Sequence, residues 1–210
     1  MSPTVVAIIA GGQAAGKKSV SAALKQRLSS WQIHDVEELS LDKFKAKEVT
    51  KPTNIEGPDA YDFELAVQAI KESKSKVFIV EGLYSLYSTA IRELGTIKIY
   101  VDLDADTRLS RRILRDTTER GISLQKVLDD YLEYGKPAME RYIQGTKTSA
   151  DVILMRGAEP SGIELIAGAI YDRLLGEGAE KISWQSLSGI DTKHNLLESH
   201  AEKEKFYELA

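Results

Sequence analysis

Residues 5 to 28 constrain the architecture more tightly than any other stretch of the chain. VVAII (5–9) is a short β-branched apolar run bounded by Pro3 and Gly11, the pattern of a strand buried on both faces. Val20, Ala23, Leu24 and Leu28 then recur at helical spacing, which predicts a helix from about Lys17 to Leu28. Between them, Gly11, Gly16 and Lys17 satisfy the first three fixed letters of G-x-x-x-x-G-K-[ST]. Background residue frequencies would supply those three letters in a chain of this length on the order of a few per cent of the time. In a turn from strand to helix the pattern has a physical purpose. Successive N–H groups point inward, and the helix presents its positive end to the same spot. An anion held there is expected to meet Gly11, Gly12, Gln13, Ala14, Ala15, Gly16, Lys17, Lys18 and Ser19. The fourth fixed letter is absent. Lys18 stands where a magnesium-binding hydroxyl is required, and an ammonium cannot coordinate a cation. Ser19 comes one residue late, about 100° further round the helix. The competing reading is a plain glycine turn with two exposed lysines.

Four more runs read as buried strands: VEELSL (36–41), KVFIVEG (76–82), TIKIYVD (96–102) and ADVILM (150–155). Helical stretches are expected near 62–73, 84–93, 104–119, 123–142 and 161–175, with a terminal helix over 195–209. Strands alternating with helices predict an α/β fold with a mostly parallel sheet of about five strands. At 210 residues the chain suits one main domain, 1–176, with a C-terminal extension, 177–210. A net charge of −4 argues against a general nucleic-acid binder but not against a basic pocket for a small anion. No apolar run approaches a membrane span, and the first residues lack the basic start of a secretory signal. With no cysteine, thiolate metal sites and thiol nucleophiles are excluded. A cytoplasmic setting is expected, with nuclear residence left open. His194 and His200 lack the third ligand that a metal site needs.

Arg108, Arg111, Arg112 and Arg115 fall at i, i+3, i+4 and i+7, one side of a helix, and Leu109 and Ile113 form an adjoining apolar pair suited to the core. With Arg120 they form either an anion-binding stripe or a solvated face paired with Asp116 and Glu119.

Taken together, these segments resemble the uridine/cytidine kinases of the P-loop phosphoribulokinase/uridine kinase family. The resemblance runs from Val5 to Glu159 and is carried by IIAGGQAAGKKSV, LSLDKF (39–44), EGPDAYDFE (56–64), VFIVEGLYSLY (77–87), VDLDADTRLSRRILRDTTERG (101–121) and KPAMERYIQGTKTSADVILMRGAE (136–159), in the family's order. It implies a P-loop nucleoside triphosphate hydrolase-type sheet under an arginine-bearing helical lid. The implied reaction is ATP-dependent phosphorylation of uridine or cytidine at the 5′-hydroxyl, with Mg2+. Asp42 matches the family's general base, Glu56 a ribose contact and Arg112 an acceptor-side position. Arg115 and Arg120 match phosphate-binding positions, and Glu81 or Ser19 would reach the metal. The implied partners are a nucleoside, ATP and further copies of the same chain.

The departures lie mainly on the acceptor side. Residues 71–76 leave no room for the β-hairpin that the family usually places before its third strand. Lys45 replaces a tyrosine, Ile122 an arginine and Asp130 a glutamine. Base-specific hydrogen bonding depends on such groups. Two other readings therefore stand beside the first: a kinase of a different small hydroxyl compound, and a nucleotide-binding regulatory protein without turnover.

Overall fold

The structure, a computed structural model, describes residues 5–45 and 57–175. Glu56 and everything expected of the C-terminal extension, including the terminal helix, His194 and His200, lie outside the described residues.

Five parallel strands form the sheet: β1 (Val5–Gly11), β2 (Val36–Ser40), β3 (Val77–Glu81), β4 (Ile97–Val101) and β5 (Val152–Leu154), in the order β2-β3-β1-β4-β5. β1 is central and buried at every position, as its unbroken apolar run requires. Its side chains alternate between two cores. Val5, Ala7 and Ile9 join Val20, Leu24 and Leu28 of α1 (Lys17–Ser30) and Ile163, Ile166 and Ile170 of the C-terminal helix of the described unit (Pro160–Leu175). Val6, Ile8 and Ala10 face Ala66 and Ile70 of α2 (Phe63–Glu72) and Ile91 of α3 (Thr89–Leu94). Period-two alternation in the strand thus meets 3.6-residue periodicity in the helices on both sides. The chain moves from β1 outward to β2, returns through β3, and then crosses to β4 on the other side of β1. That reversal opens a crevice beyond the carboxyl ends of the strands, where α/β sheets bind ligands. Among the described residues no helix is long and apolar enough to cross a membrane.

Two expected helices differ from their predicted form. The 84–93 stretch is helical only over Thr89–Leu94. The buried Ser85 hydroxyl donates to the carbonyls of Ile9 at 2.8 Å and Gly82 at 3.1 Å, which holds this segment against the carboxyl ends of the central strands. The helix starts only where Ser88 accepts a hydrogen bond from the Ile91 amide. The 123–142 stretch is helical but not uniform. After α4 (Ala105–Thr118) and α5 (Leu124–Asp130), wide π turns at Tyr131–Gly135 and Met139–Ile143 flank α6 (Lys136–Ala138). Pro137 lies within α6, where it has no amide hydrogen to give and crowds the carbonyl four residues earlier. The remaining helix, Pro160–Leu175, is α7 and begins on a proline, which tolerates that position well.

Leu24 is fully buried between α1 and the sheet, whereas Leu114 on α4 is 64% exposed. Leu24→Ala is expected to lower unfolding free energy by about 2–5 kcal/mol, and Leu114→Ala by less than about 0.5 kcal/mol. Urea denaturation of the two variants checks this; equal losses would contradict the assigned core.

Candidate active site

The loop after β1 has the backbone its sequence demands. Gly11 takes φ +144, and a Cβ there would lie 2.4 Å from the Val101 carbonyl oxygen, so only glycine lets β1 and β4 run together to this point. Gly16, at φ +95, turns the chain into α1. Ala14, at φ 56, takes a left-handed conformation that costs an ordinary residue about 1–2 kcal/mol, a local strain that the letter sequence did not announce. A Cβ on Gly12 would lie 2.4 Å from Arg108 Nη1, so this glycine makes room for a guanidinium laid against the loop. Arg108 is held there by its Nε, which donates to the Leu103 carbonyl at 2.8 Å.

Lys17 folds back over the loop and donates to the carbonyls of Gly11 at 3.1 Å and Gly12 at 2.8 Å. Burial pushes its ammonium down to about 8 from 10.5, against the pull of the Glu81 and Asp42 carboxylates. It is a poised charge with neutral direct partners.

The sheet supplies the opposite wall. Ser40 pairs in register with Glu81, so Asp42, two residues past Ser40, reaches the same crest as the end of β3. Gly82 permits this closeness: a Cβ there would sit 2.7 Å from Leu41 Cβ. Glu81 is 6% exposed, so it is not a surface carboxylate. Asp42 is exposed in the cleft and accepts a long hydrogen bond from the Tyr61 hydroxyl at 3.5 Å. Lys45 lies over the other part of the same ring, 5.9 Å from its centroid, and bridges to Tyr61 through the backbone.

α4 closes the third side. Leu109 and Ile113, expected to face the core, are only partly covered, while the buried positions of this helix are Arg112 and Asp116. The reason is visible in the contacts. Arg112 Nη1 donates to Gln13 Oε1 of the loop, which draws this arginine against the body of the protein, while Leu109 borders the same inner surface beside Leu83, Tyr84 and Ile143. The two readings of the arginine stripe merge, because Arg112, Arg115 and Arg120 pair with Asp116 and also line the cleft.

The resulting cleft is about 710 Å³. It brings together Gln13, Ala14, Gly16, Lys17, Lys18, Ser19, Asp42, Glu81, Arg112, Arg115 and Arg120 from the sequence-derived set. Gly11, Gly12 and Ala15 do not line it; they shape the loop from behind. Arg111 and Tyr61 line it without having been assigned a ligand role from sequence. Arg111 was legible as part of the stripe; Tyr61 carried no signal beyond its place in EGPDAYDFE.

These residues fit a triphosphate. Basic side chains outnumber carboxylates along the cleft, and the first amides of α1 have no preceding turn to accept them. They fit magnesium less completely. Among the described residues there is no group of three or more histidines, cysteines or carboxylates able to hold a metal. Magnesium needs only one or two carboxylates when phosphates and waters complete its shell, and Asp42, Glu81 and Ser19 all border the cleft.

Residues 60–161 match the Phosphoribulokinase / Uridine kinase family. The chain is similar to uridine-cytidine kinase B of Dictyostelium discoideum, 35% identical over 214 residues that cover 86% of this chain and 85% of the relative. It is also similar to uridine-cytidine kinase 2-B of Danio rerio, 36% identical over 207 residues, 80% of this chain and 79% of the relative. Among solved structures, a protein of Silicibacter sp. TM1040 provisionally named a fructose transport system kinase superposes with a TM-score of 0.57. That likeness covers 72% of this chain and 89% of the other at 15% identity, and it speaks to fold alone.

Lys17 is expected to titrate near pH 8, below the 10.5 of a fully solvated lysine side chain, losing its charge as pH rises through the lower value. Side-chain NMR with the Lys17 signal assigned by Lys17→Ala measures this. A midpoint at the surface value would contradict the buried placement.

Proposed function

The chain belongs to the phosphoribulokinase/uridine kinase family, and from that premise we propose that it transfers the γ-phosphoryl group of ATP to the 5′-hydroxyl of uridine or cytidine. It is a phosphotransferase acting on a hydroxyl group. One observation carries the finer reading: Lys17, Asp42 and Glu81 meet in a single cleft with Arg112, Arg115 and Arg120 along its edge. Phosphoryl transfer asks little covalent chemistry of a protein and much positioning and charge. In this reading the loop amides and Lys17 hold the outer phosphates of ATP. Asp42 accepts the proton of the attacking hydroxyl, and its exposure leaves its carboxylate open to an acceptor. Arg115 and Arg120 stabilise charge on the migrating group, and Arg112 orients the acceptor side. Magnesium, held by Glu81, Asp42 or Ser19 together with phosphate oxygens, would neutralise phosphate charge. A cytoplasmic setting is part of the same reading.

A second reading, nucleotide binding without turnover, draws support from Lys18, which is exposed in the cleft at the position of the metal-binding hydroxyl. A third, a different hydroxyl acceptor, draws support from the direct passage of α2 into β3. Only residues 73–76 connect them, with no hairpin between.

Purified protein with Mg-ATP and uridine or cytidine is expected to form ADP and the nucleoside monophosphate. Asp42→Asn should lower the rate by about 10²–10⁴-fold while leaving ATP binding within about 2-fold. Binding without turnover for any acceptor would favour the second reading, and turnover with a non-nucleoside alone the third. Lys18→Thr is expected to lower the magnesium concentration needed for half-maximal rate. An unchanged magnesium titration would show that this position does not limit metal binding.

A further inference from the structure

The kinase reading uses the arginines of α4 but leaves unexplained the carboxylate they share. Asp116 is 4% exposed. Its Oδ1 accepts from Arg115 Nε at 2.8 Å and lies 3.1 Å from Arg120 Nη1, and its Oδ2 lies 3.6 Å from Arg112 Nε. Arg112 stands one helical turn before it and Arg120 just beyond the end of α4, so one buried carboxylate serves three guanidiniums that all border the cleft.

The backbone is arranged to make this possible. α4 ends at Thr118, Gly121 takes φ +66, and the Ile122 amide returns to the carbonyl of Asp116 at 2.9 Å. The chain is therefore turned back at the point where Arg120 must reach Asp116. From the other direction, Arg112 donates to Gln13 of the phosphate loop, which links the helix to the loop through the same cluster.

A guanidinium carries five donors, and Asp116 occupies only part of each set. The cluster keeps excess positive charge, and Arg115 and Arg120 stay partly open to solvent on the cleft side. Long arginine side chains lose much freedom when ordered, and fixing them before a ligand arrives moves that loss from binding to folding. Burial works to raise the Asp116 carboxyl, but the Arg115 hydrogen bond and the charges of Arg115, Arg120 and Arg112 outweigh it and hold it below its ordinary value. The carboxylate therefore stays ionised at neutral pH.

We propose that Asp116 is a positioning residue that gathers Arg112, Arg115 and Arg120 over the phosphate loop, so that the site favours a nucleoside triphosphate over a diphosphate. The inference rests on the kinase reading, because it needs a γ-phosphate as the group the arginines meet. It differs from a stabilising ion-pair cluster in one respect: its loss changes ligand discrimination and acts through the arginines.

The test compares the full chain with Asp116→Asn, Asp116→Glu, Arg120→Ala and the double variant Asp116→Asn/Arg120→Ala. The readouts are displacement of a fluorescent methylanthraniloyl-ATP by ATP and by ADP, turnover with uridine, and thermal midpoint. Asp116→Asn is expected to weaken ATP about 10-fold and ADP less than about 2-fold, since charge-assisted contacts to the γ-phosphate are lost selectively. Asp116→Glu, which keeps the charge, should fall between Asp116→Asn and the wild type. The double variant should lose less ATP affinity than the product of the two single losses, because part of the effect of Asp116 runs through Arg120 and residues acting through one another are not additive. Should Asp116→Asn fail to fold, Asp116→Glu decides, with a reduced ATP-over-ADP preference expected. Equal weakening of ATP and ADP, tighter ATP binding, fully multiplicative losses in the double variant, or an unchanged preference in Asp116→Glu would each overturn the proposal. A wild type that binds the fluorescent nucleotide but shows no turnover with uridine would contradict the kinase reading alone. A wild type that binds no nucleotide would overturn both.

Discussion

The Lys17 ammonium, donating to the carbonyls of Gly11 and Gly12, is the contact around which the rest of the cleft is organised. It can exist only because β1 ends in a loop whose carbonyls turn inward, and β1 can end there only because Gly11 fits against the Val101 carbonyl. The central strand, the reversal of strand order and the start of α1 therefore converge on one charge. Burial depresses that charge while Glu81 and Asp42 sustain it, which leaves a cation whose favoured partner is an entering anion.

Around this centre the protein distributes two kinds of work. The sheet side is rigid: Glu81 ends a wholly buried strand, and the Ser85 hydroxyl ties the following segment to Ile9 and Gly82. The helical side is built from long polar arms that Asp116 draws together. A rigid floor and an arginine wall suit a reaction governed by placement and electrostatics. The end of the cleft proposed for the acceptor is plainer, with Lys45 over Tyr61 and no hairpin between α2 and β3.

Much of this order was legible in the letters. The five strands stand where apolar runs predicted them. β1 and β3 are buried at every position, as their unbroken runs require, whereas β2 and β5, expected to be buried, lie at the two edges and are only partly covered. The loop was legible because glycine is required at φ +144 and +95. Side-chain partnership was harder to read. Periodicity offered Leu109 and Ile113 as the core pair and left Arg112 in a stripe that was either anion-binding or solvated, but hydrophobicity scales do not see that Gln13 and Asp116 give a buried arginine its partners. The π turns around Lys136–Ala138 were hidden for a similar reason: Pro137 announces a disturbance, and tertiary packing decides whether the helix breaks or widens. The departure at Lys18 is plain in both sequence and structure, where it borders the cleft beside Ser19.

The central claim is that loop amides and the Lys17 ammonium grip a triphosphate, and isothermal titration calorimetry with ATP, in the presence and absence of magnesium, tests it most directly. The account predicts saturable heat for one site per chain, lost in a folded Lys17→Ala variant. A folded wild-type protein that gives no heat with any nucleoside triphosphate under either condition would contradict it.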